Sequence, residues 1–330
     1  MEYRKVQEVG KGTLLISLPK DWVKKYDISK GDILGLEVDQ FGNLILFSTK
    51  KKVTENLSVV DCRKRSLKGV LDDITGAYLL GYNLIKVVNL SYIEGGNRKD
   101  VKALLSKLAG LEIIEEDRDS MVVEFVTDIS LLNPNKILNR MSLIVKTMFF
   151  DSISSLINHD SVLAEDVIKV DDEVDRLYFL FVRLIRSAIQ SPEIMRKFNL
   201  SAIECLDHRL YASLIESIGD YSSSIASNVI NGLDITFDNE LSNILHQIKI
   251  SFENMFDLAY KAYMSKNITL KVNVLSISDS IEEKINLIRS LTLNRPLKEI
   301  SKISSIISAI NFTRKALADI TDLTTPSIKV

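Results

Sequence analysis

From Asn133 to Val330 the chain carries apolar residues at helical spacing, and only a few breaks interrupt them. Asn133 suits an N-cap, because its side chain can accept from an orphan backbone N–H. Pro134 suits a first turn, where its missing donor costs nothing. The pattern predicts helices near 135–158, 161–190, 199–231, 238–266, 270–293 and 297–322. Ser191-Pro192 ends the second, and Asn294-Arg295-Pro296 separates the last two. Six helices with short connections make an antiparallel bundle or two stacked three-helix bundles.

An internal repeat favours the stacked pair. Phe150-Asp151 is echoed by Phe256-Asp257. An acidic helix start follows each: Asp171-Asp172-Glu173-Val174-Asp175, then Asp279-Ser280-Ile281-Glu282-Glu283. Each half closes with a late acid, Asp220 and Asp319. One repeat of about a hundred residues marks a duplicated domain rather than a solenoid.

Ahead of the helices lie two other textures. Residues 51–132 alternate. Leu57–Val60 and Ile85–Val88 suit strands, Ser66–Leu80 and Asn97–Ala109 suit helices, and 111–114 and 121–126 suit a hairpin around Asp117-Arg118-Asp119. That βαβαββ order predicts a small α/β layer domain. Gly95-Gly96 is too little for a phosphate loop and suits a plain turn. Residues 1–50 suit short paired strands. Gly10-Lys11-Gly12 and Phe41-Gly42-Asn43 supply turn chemistry, Pro19 opens a short helix, and Trp22 is its expected core anchor. So small a module struggles to bury enough surface alone, and dimerisation is the usual remedy. The expected fold is multidomain α+β, with domains at 1–50, 51–132, 133–235 and 236–330.

Bulk chemistry excludes several classes. The formal charge is −2, so any DNA contact needs a local basic patch. Two cysteines, Cys62 and Cys205, are too few for a disulfide scaffold and suit a reducing cytoplasm. No apolar run approaches the roughly 20 residues of a membrane helix, and no signal peptide is visible, so a soluble, cytoplasmic chain without membrane insertion is expected. No nucleophile elbow is present, and nothing argues for an enzyme. His159, His208 and His246 are scattered and suit surface or capping positions.

Asp171 and Asp175 are four apart and share a helix face; Glu216 and Asp220 repeat the spacing on a later helix. Brought together, four carboxylates repel unless a cation neutralises them. Oxygen donors suit a divalent or trivalent ion such as Fe, Mn or Mg. Acids at this spacing also form ordinary solvated faces. Asp171 and Asp175 flank the stripe Val167, Val170, Val174 and Phe181. Glu216 and Asp220 lie away from the stripe Leu206, Leu210, Leu214, Ile218 and Ile225. A site built from them would therefore sit on the bundle surface, which argues against a buried two-metal enzyme.

Glu216-Ser217-Ile218-Gly219-Asp220, running on through Ser222-Ser223-Ser224 to Ile225-Ala226, resembles the PhoU signature. Asp171 to Asp175 resembles its partner motif. The resemblance covers residues 135 to 325 and implies a PhoU-like pair of three-helix bundles, metal carried on such acidic pairs, and a role in phosphate signalling. Lys315 stands where the second half should present an acid, so one metal site, in the first half, is expected. Arg4-Lys5-Val6-Gln7, Gly10-Lys11-Gly12-Thr13, Leu18-Pro19-Lys20-Asp21-Trp22 and Lys30-Gly31-Asp32 resemble the AbrB/SpoVT swapped-hairpin module. That resemblance implies a homodimer that binds DNA, with Arg4, Lys5, Lys11, Lys20, Lys24 and Lys25 available for phosphates. Together the two resemblances imply a regulator of phosphate uptake of an archaeal type. The alternative is an adaptor that does not bind DNA and restrains a phosphate transporter or its signalling partner.

Overall fold

The computed structural model describes residues 2–38, 42–48, 56–231 and 237–324. It divides into two compact units, Met1–Glu55 and Asn56–Val330.

In the first unit, β1 (Gln7–Val9) and β2 (Thr13–Leu15) form an antiparallel hairpin, with Gln7 opposite Leu15. Its turn needs glycine: Gly10 and Gly12 sit at φ +69° and +95°, where a side chain is strained. Helix α1 (Lys20–Lys25) follows Pro19, whose carbonyl accepts from Val23 N at 3.0 Å. Strands β3 (Leu34–Val38) and β4 (Leu44–Ser48) form a second antiparallel pair. Phe41, assigned to the turn between them, lies outside the described residues. No described residue of this unit is buried; Leu36, Val38 and Leu44 are 65%, 66% and 64% exposed. Trp22 is half-buried against Tyr26, ring centroids 5.6 Å apart, and does not anchor a closed core.

The second unit opens with the βαβαββ layer. Strands β5 (Leu57–Asp61), β6 (Leu84–Val88), β7 (Leu111–Glu116) and β8 (Ser120–Phe125) form one sheet in the order β5-β6-β8-β7. β5 and β6 are parallel, and β8 is antiparallel to both its neighbours. Helices α2 (Leu67–Leu79) and α3 (Arg98–Lys107) cover one face over Ile85, Val87, Met121 and Val123. Ser66 caps α2, and Asn97 with Asp100 forms a capping box on α3. Gly110 turns α3 into β7 at φ +83°, where a Cβ would stand 2.6 Å from the Phe125 ring.

The rest is helical: α4 (Pro134–Asn158), α5 (Ser161–Gln190), α6 (Pro192–Phe198), α7 (Ala202–Ile230), α8 (Asn239–Ser265), α9 (Ile268–Thr292) and α10 (Leu297–Asp322). Asn133, Asp160, Ser201, Asp238 and Asn267 cap α4, α5, α7, α8 and α9. α4, α5 and α7 pack as one three-helix bundle, α8, α9 and α10 as another. The bundles meet through aromatic rings, Phe150 with Phe256 at 6.0 Å and Phe149 with Phe252 at 4.5 Å. The left-handed caps His159 and Lys266 set the repeat at a shift of 107 residues, so the counterpart of Phe256 is Phe149 and not the expected Phe150.

Three further expectations need correction. Ser191-Pro192 does not merely stop a helix; Ser191 caps α6, its Oγ accepting from Ile194 N, and Pro192 begins it. The buried face of α7 is rotated from the expected one. Cys205, His208, Tyr211, Ile215, Ile218, Ser222 and Ile225 face inward, while Leu206 and Leu210 are 65% and 49% exposed. α7 packs against α4, α5 and α10, and the small side chains of Cys205, Ala212, Gly219 and Ser222 admit those neighbours. His208 is therefore neither surface nor cap. Tyr263 Oη lies 2.6 Å from its Nδ1 and Asn135 Oδ1 lies 2.9 Å from its Nε2. Burial holds its imidazole down at about 4, so it is neutral. Tyr263 then donates to Nδ1, and the Nε2–H donates to Asn135. His159 does close α4, at φ 53°.

The α/β layer is fastened to the bundle by Arg183 of α5, which is wholly buried. It donates to the Tyr78 and Tyr82 carbonyls at 2.6 and 3.0 Å and to Asn83 Oδ1 at 3.0 Å. Its guanidinium lies 3.9 Å from the Phe125 ring centroid. No carboxylate pairs with it among the described residues. Of its acceptors, the Tyr78 carbonyl lies in the last turn of α2, where it also accepts from Gly81 N at 3.1 Å, and Tyr82 and Asn83 lie just beyond the helix.

Candidate functional site

Three of the four expected carboxylates converge. α5 and α7 run side by side, and the i, i+4 spacing on each turns its two acids toward the other. Ligand oxygens of Asp175, Glu216 and Asp220 all lie within 4.8 Å of one another. Asp171 stands one turn along, hydrogen-bonded to Ser223, and is not part of that trio. Its Oδ1 lies 3.5 Å from where a Cβ would sit on Gly219. Asp171, Asp175 and Glu216 are half-buried and Asp220 is exposed, so the cluster lies at the surface of the bundle.

Crowding sets the electrostatics. Glu216 is pushed up to about 7, chiefly by burial and then by Asp220, Asp175 and Asp171. Asp171 is pushed up to about 6 by burial, with Asp175 and Asp220 adding and Ser223 opposing. Asp175 and Asp220 are also raised by burial. Lys107 of α3 reaches across to Asp172 at 2.6 Å and pulls against the rise at Asp175. That lysine was missed in the sequence, because nothing in its spacing relates α3 to α5.

The residues present fit a cation. All donors are carboxylate oxygens, which suits a hard ion. A cation would relieve the repulsion and burial that raise these groups. The second half differs. Asp279, Glu283, Lys315 and Asp319 form no such cluster among the described residues. Asp319 is raised by burial and by Asp322, with Lys315 opposing.

The six cations expected to meet phosphates are all exposed. Arg4, which pairs with Glu2, and Lys5 lie in the extended segment before β1, and Lys11 is in the hairpin turn. Lys20 opens α1, while Lys24 and Lys25 end it, with Lys25 Nζ 5.6 Å from the Tyr26 ring centroid. From residue 4 to residue 25 six cations meet two carboxylates, Glu8 and Asp21, so the strip is locally positive.

Comparison with known proteins follows the same division. Residues 138–229 match the family model of the PhoU domain, and residues 9–56 match that of antidote-toxin recognition MazE, bacterial antitoxin. A curated relative, "Phosphate-specific transport system accessory protein PhoU homolog" of Aquifex aeolicus (strain VF5), is 30% identical over 123 residues. The match takes in 36% of this chain and spans 56% of that relative's length. Among solved structures, the crystal structure of PhoU from Pseudomonas aeruginosa aligns at 16% identity and a TM-score of 0.49. That alignment covers 58% of this chain and 93% of the other. The chain thus carries a PhoU domain in the first of its two three-helix bundles and a MazE/AbrB-type segment at its N-terminus.

Proposed function

We propose that this protein is a homodimeric, DNA-binding regulator of phosphate uptake whose PhoU domain senses through a bound metal ion. One observation carries the reading: a MazE/AbrB-type unit with no buried residue among those described stands in the same chain as a PhoU domain bearing clustered carboxylates. Two isolated hairpins are marginal in water. A second copy interlocked with the first would supply the missing core. The dimer would then present Arg4, Lys5, Lys11, Lys20, Lys24 and Lys25 to DNA phosphates.

In the PhoU domain, Asp175, Glu216 and Asp220 would hold a hard cation such as Mg²⁺, Mn²⁺ or an iron ion, with Asp171 beside them. The ion would supply positive charge on which an anion can dock. Lys107 and Asp172 connect that cluster to the α/β layer. An effector bound there alters DNA affinity only by binding the two conformational states unequally. The role is regulatory rather than enzymatic, in the cytoplasm; no described helix is long and apolar enough to cross a membrane.

Fluorescence anisotropy against DNA upstream of the host's phosphate-uptake genes tests this, at two salt concentrations. Binding should weaken steeply with salt and be lost when Arg4, Lys5 and Lys11 are changed to alanine. Binding no tighter than to random DNA would sink the reading. It would leave an adaptor of a phosphate transport system, the role that the Aquifex relative's name describes. The first unit would then serve as a dimer clamp.

A further inference from the structure

The outer surface of the first bundle carries a groove of about 380 Å³ between α4 and α5, away from the carboxylate cluster. Its floor is apolar: Leu143, Ile144 and Met148 from α4, Val167 and Val170 from α5. Leu143 is 58% exposed there. From Leu143 to Asp151 the lining runs for about 12 Å, a little over two helical turns.

Three acids, Asp151, Asp166 and Glu173, border this floor, and no cation lines it among the described residues. Asp166 and Glu173 are paired outward, with Lys169 and Arg140. Asp151 is half-buried and has neither a hydrogen bond nor an ion pair among the described residues. Burial lifts its carboxyl above the usual range, and Lys249 only opposes the rise from beyond ion-pair distance. An apolar floor beside a half-buried carboxylate without an ion-pair partner matches a ligand that is apolar on one side and cationic at its edge.

The internal repeat supplies a control. The helix caps set the register of the two copies at a shift of 107 residues, His159 onto Lys266 and Asp160 onto Asn267. That shift places Ile250, Met255, Val274 and Ile277 at the positions of Leu143, Met148, Val167 and Val170, but Leu258, Asn273 and Ser280 at those of Asp151, Asp166 and Glu173. The second copy keeps most of the apolar floor without the three acids, so the acidic border is particular to the first copy and is not required by the bundle.

We propose that the α4–α5 groove docks an amphipathic helix of a partner protein, with apolar anchors one turn apart and lysine or arginine flanking them. Two turns of groove match the i, i+3/i+4, i+7 anchors of helix-in-groove recognition, and methionine suits such a floor because it repacks. A second copy of this chain is the poorer occupant. A two-fold contact through this groove sets its three acids against the same three acids.

The test uses the full chain and a labelled leucine–lysine peptide about five turns long, its leucines on one helical face. A scrambled peptide of the same composition and a leucine–glutamate peptide of the same pattern are the comparators. The patterned cationic peptide should bind at least about tenfold tighter than either. Leu143→Lys and Asp151→Asn should each weaken it by about tenfold, while Glu193→Gln, an exposed acid on α6, should leave it unchanged. Leu143→Lys should melt with the parent, since that side chain is largely in solvent. Hydrogen exchange should slow within 143–151 and 166–173 when the peptide is bound. Equal binding of the scrambled peptide, indifference to both groove variants, protection elsewhere, or no binding would each overturn the proposal. So would a change in oligomer size caused by Leu143→Lys, which would assign the groove to a second copy.

Discussion

Glu216 and Asp171 keep their protons up to about 7 and about 6 in the folded chain. An unfolded chain releases such protons near pH 4. Between those limits the folded state binds more protons, so lowering the pH stabilises it and raising the pH through the folded values costs stability. Chelator-treated protein should therefore gain Tm as the pH falls from about 8 to about 6.5, and Mn²⁺ should raise the Tm most at the upper end. A Tm indifferent to Mn²⁺ would deny the cluster its cation. His208 works in the opposite sense. Its folded value is about 4 against an unfolded value of about 6.5. The unfolded chain binds the extra proton in that window, so stability present above about 6.5 is lost as the pH falls toward 4. The His208 ring signals should stay those of the neutral imidazole at about pH 5.5, as checked by NMR. A ring that titrates there would remove the Tyr263–His208–Asn135 chain from the core. The carboxylates were legible in the sequence because helical spacing is local. The histidine was not, because its partners lie on α4 and α8, 73 and 55 residues away.

Helix α7 shows where a periodic pattern misleads. Of the stripe that periodicity assigns to the core, Ile218 and Ile225 are buried, but Leu206 and Leu210 face solvent while Cys205, His208 and Tyr211 turn inward. Gly219 lies on that buried face, and a Cβ there would meet Asp171, Val145 and Val174 at 3.5 to 3.6 Å, ordinary contact distances. Gly219→Ala should therefore stabilise the chain by about 0.5–1 kcal/mol, by helix propensity, and leave metal affinity intact. A loss of stability in denaturant titration would mean that the surface beside Asp171 needs the missing methyl. Helix α5 carries the other element-level lesson. Arg183 looks from the sequence like one more cation on a long helix, but it closes the end of α2. Arg183→Met keeps the bulk and removes the donors from two carbonyls and Asn83. The expected loss is about 3 kcal/mol, with faster amide exchange at the end of α2. A near-neutral Arg183→Met would show that the layer is held by packing on Phe125 rather than by those hydrogen bonds.

The two units differ in how they reach stability. Asn56 to Thr324 holds two apolar cores, one under the α/β sheet and one through both bundles. The first unit holds none among its described residues. Removing residues 1–55 should leave a folded, helical monomer, while the full chain elutes as a dimer in light-scattering chromatography. A full-length monomer would contradict the interlocked pair and weaken the DNA-binding reading with it. At this scale the order of elements was legible: the βαβαββ run, the long helices and their caps, and the acidic pairs. All of these depend on residues within a turn or two of one another. Local spacing also decided that Asp171 and Asp175 share a face, and Glu216 and Asp220 another. What only the tertiary structure decided was which faces met. The rotation of α7, the burial of His208, the closing of α2 by Arg183, the reach of Lys107 and the open groove beside Asp151 all depend on neighbours far away in sequence. Periodicity states how side chains are arranged around one helix axis; packing against other elements sets the angle at which that axis is turned, and so which side chains are buried.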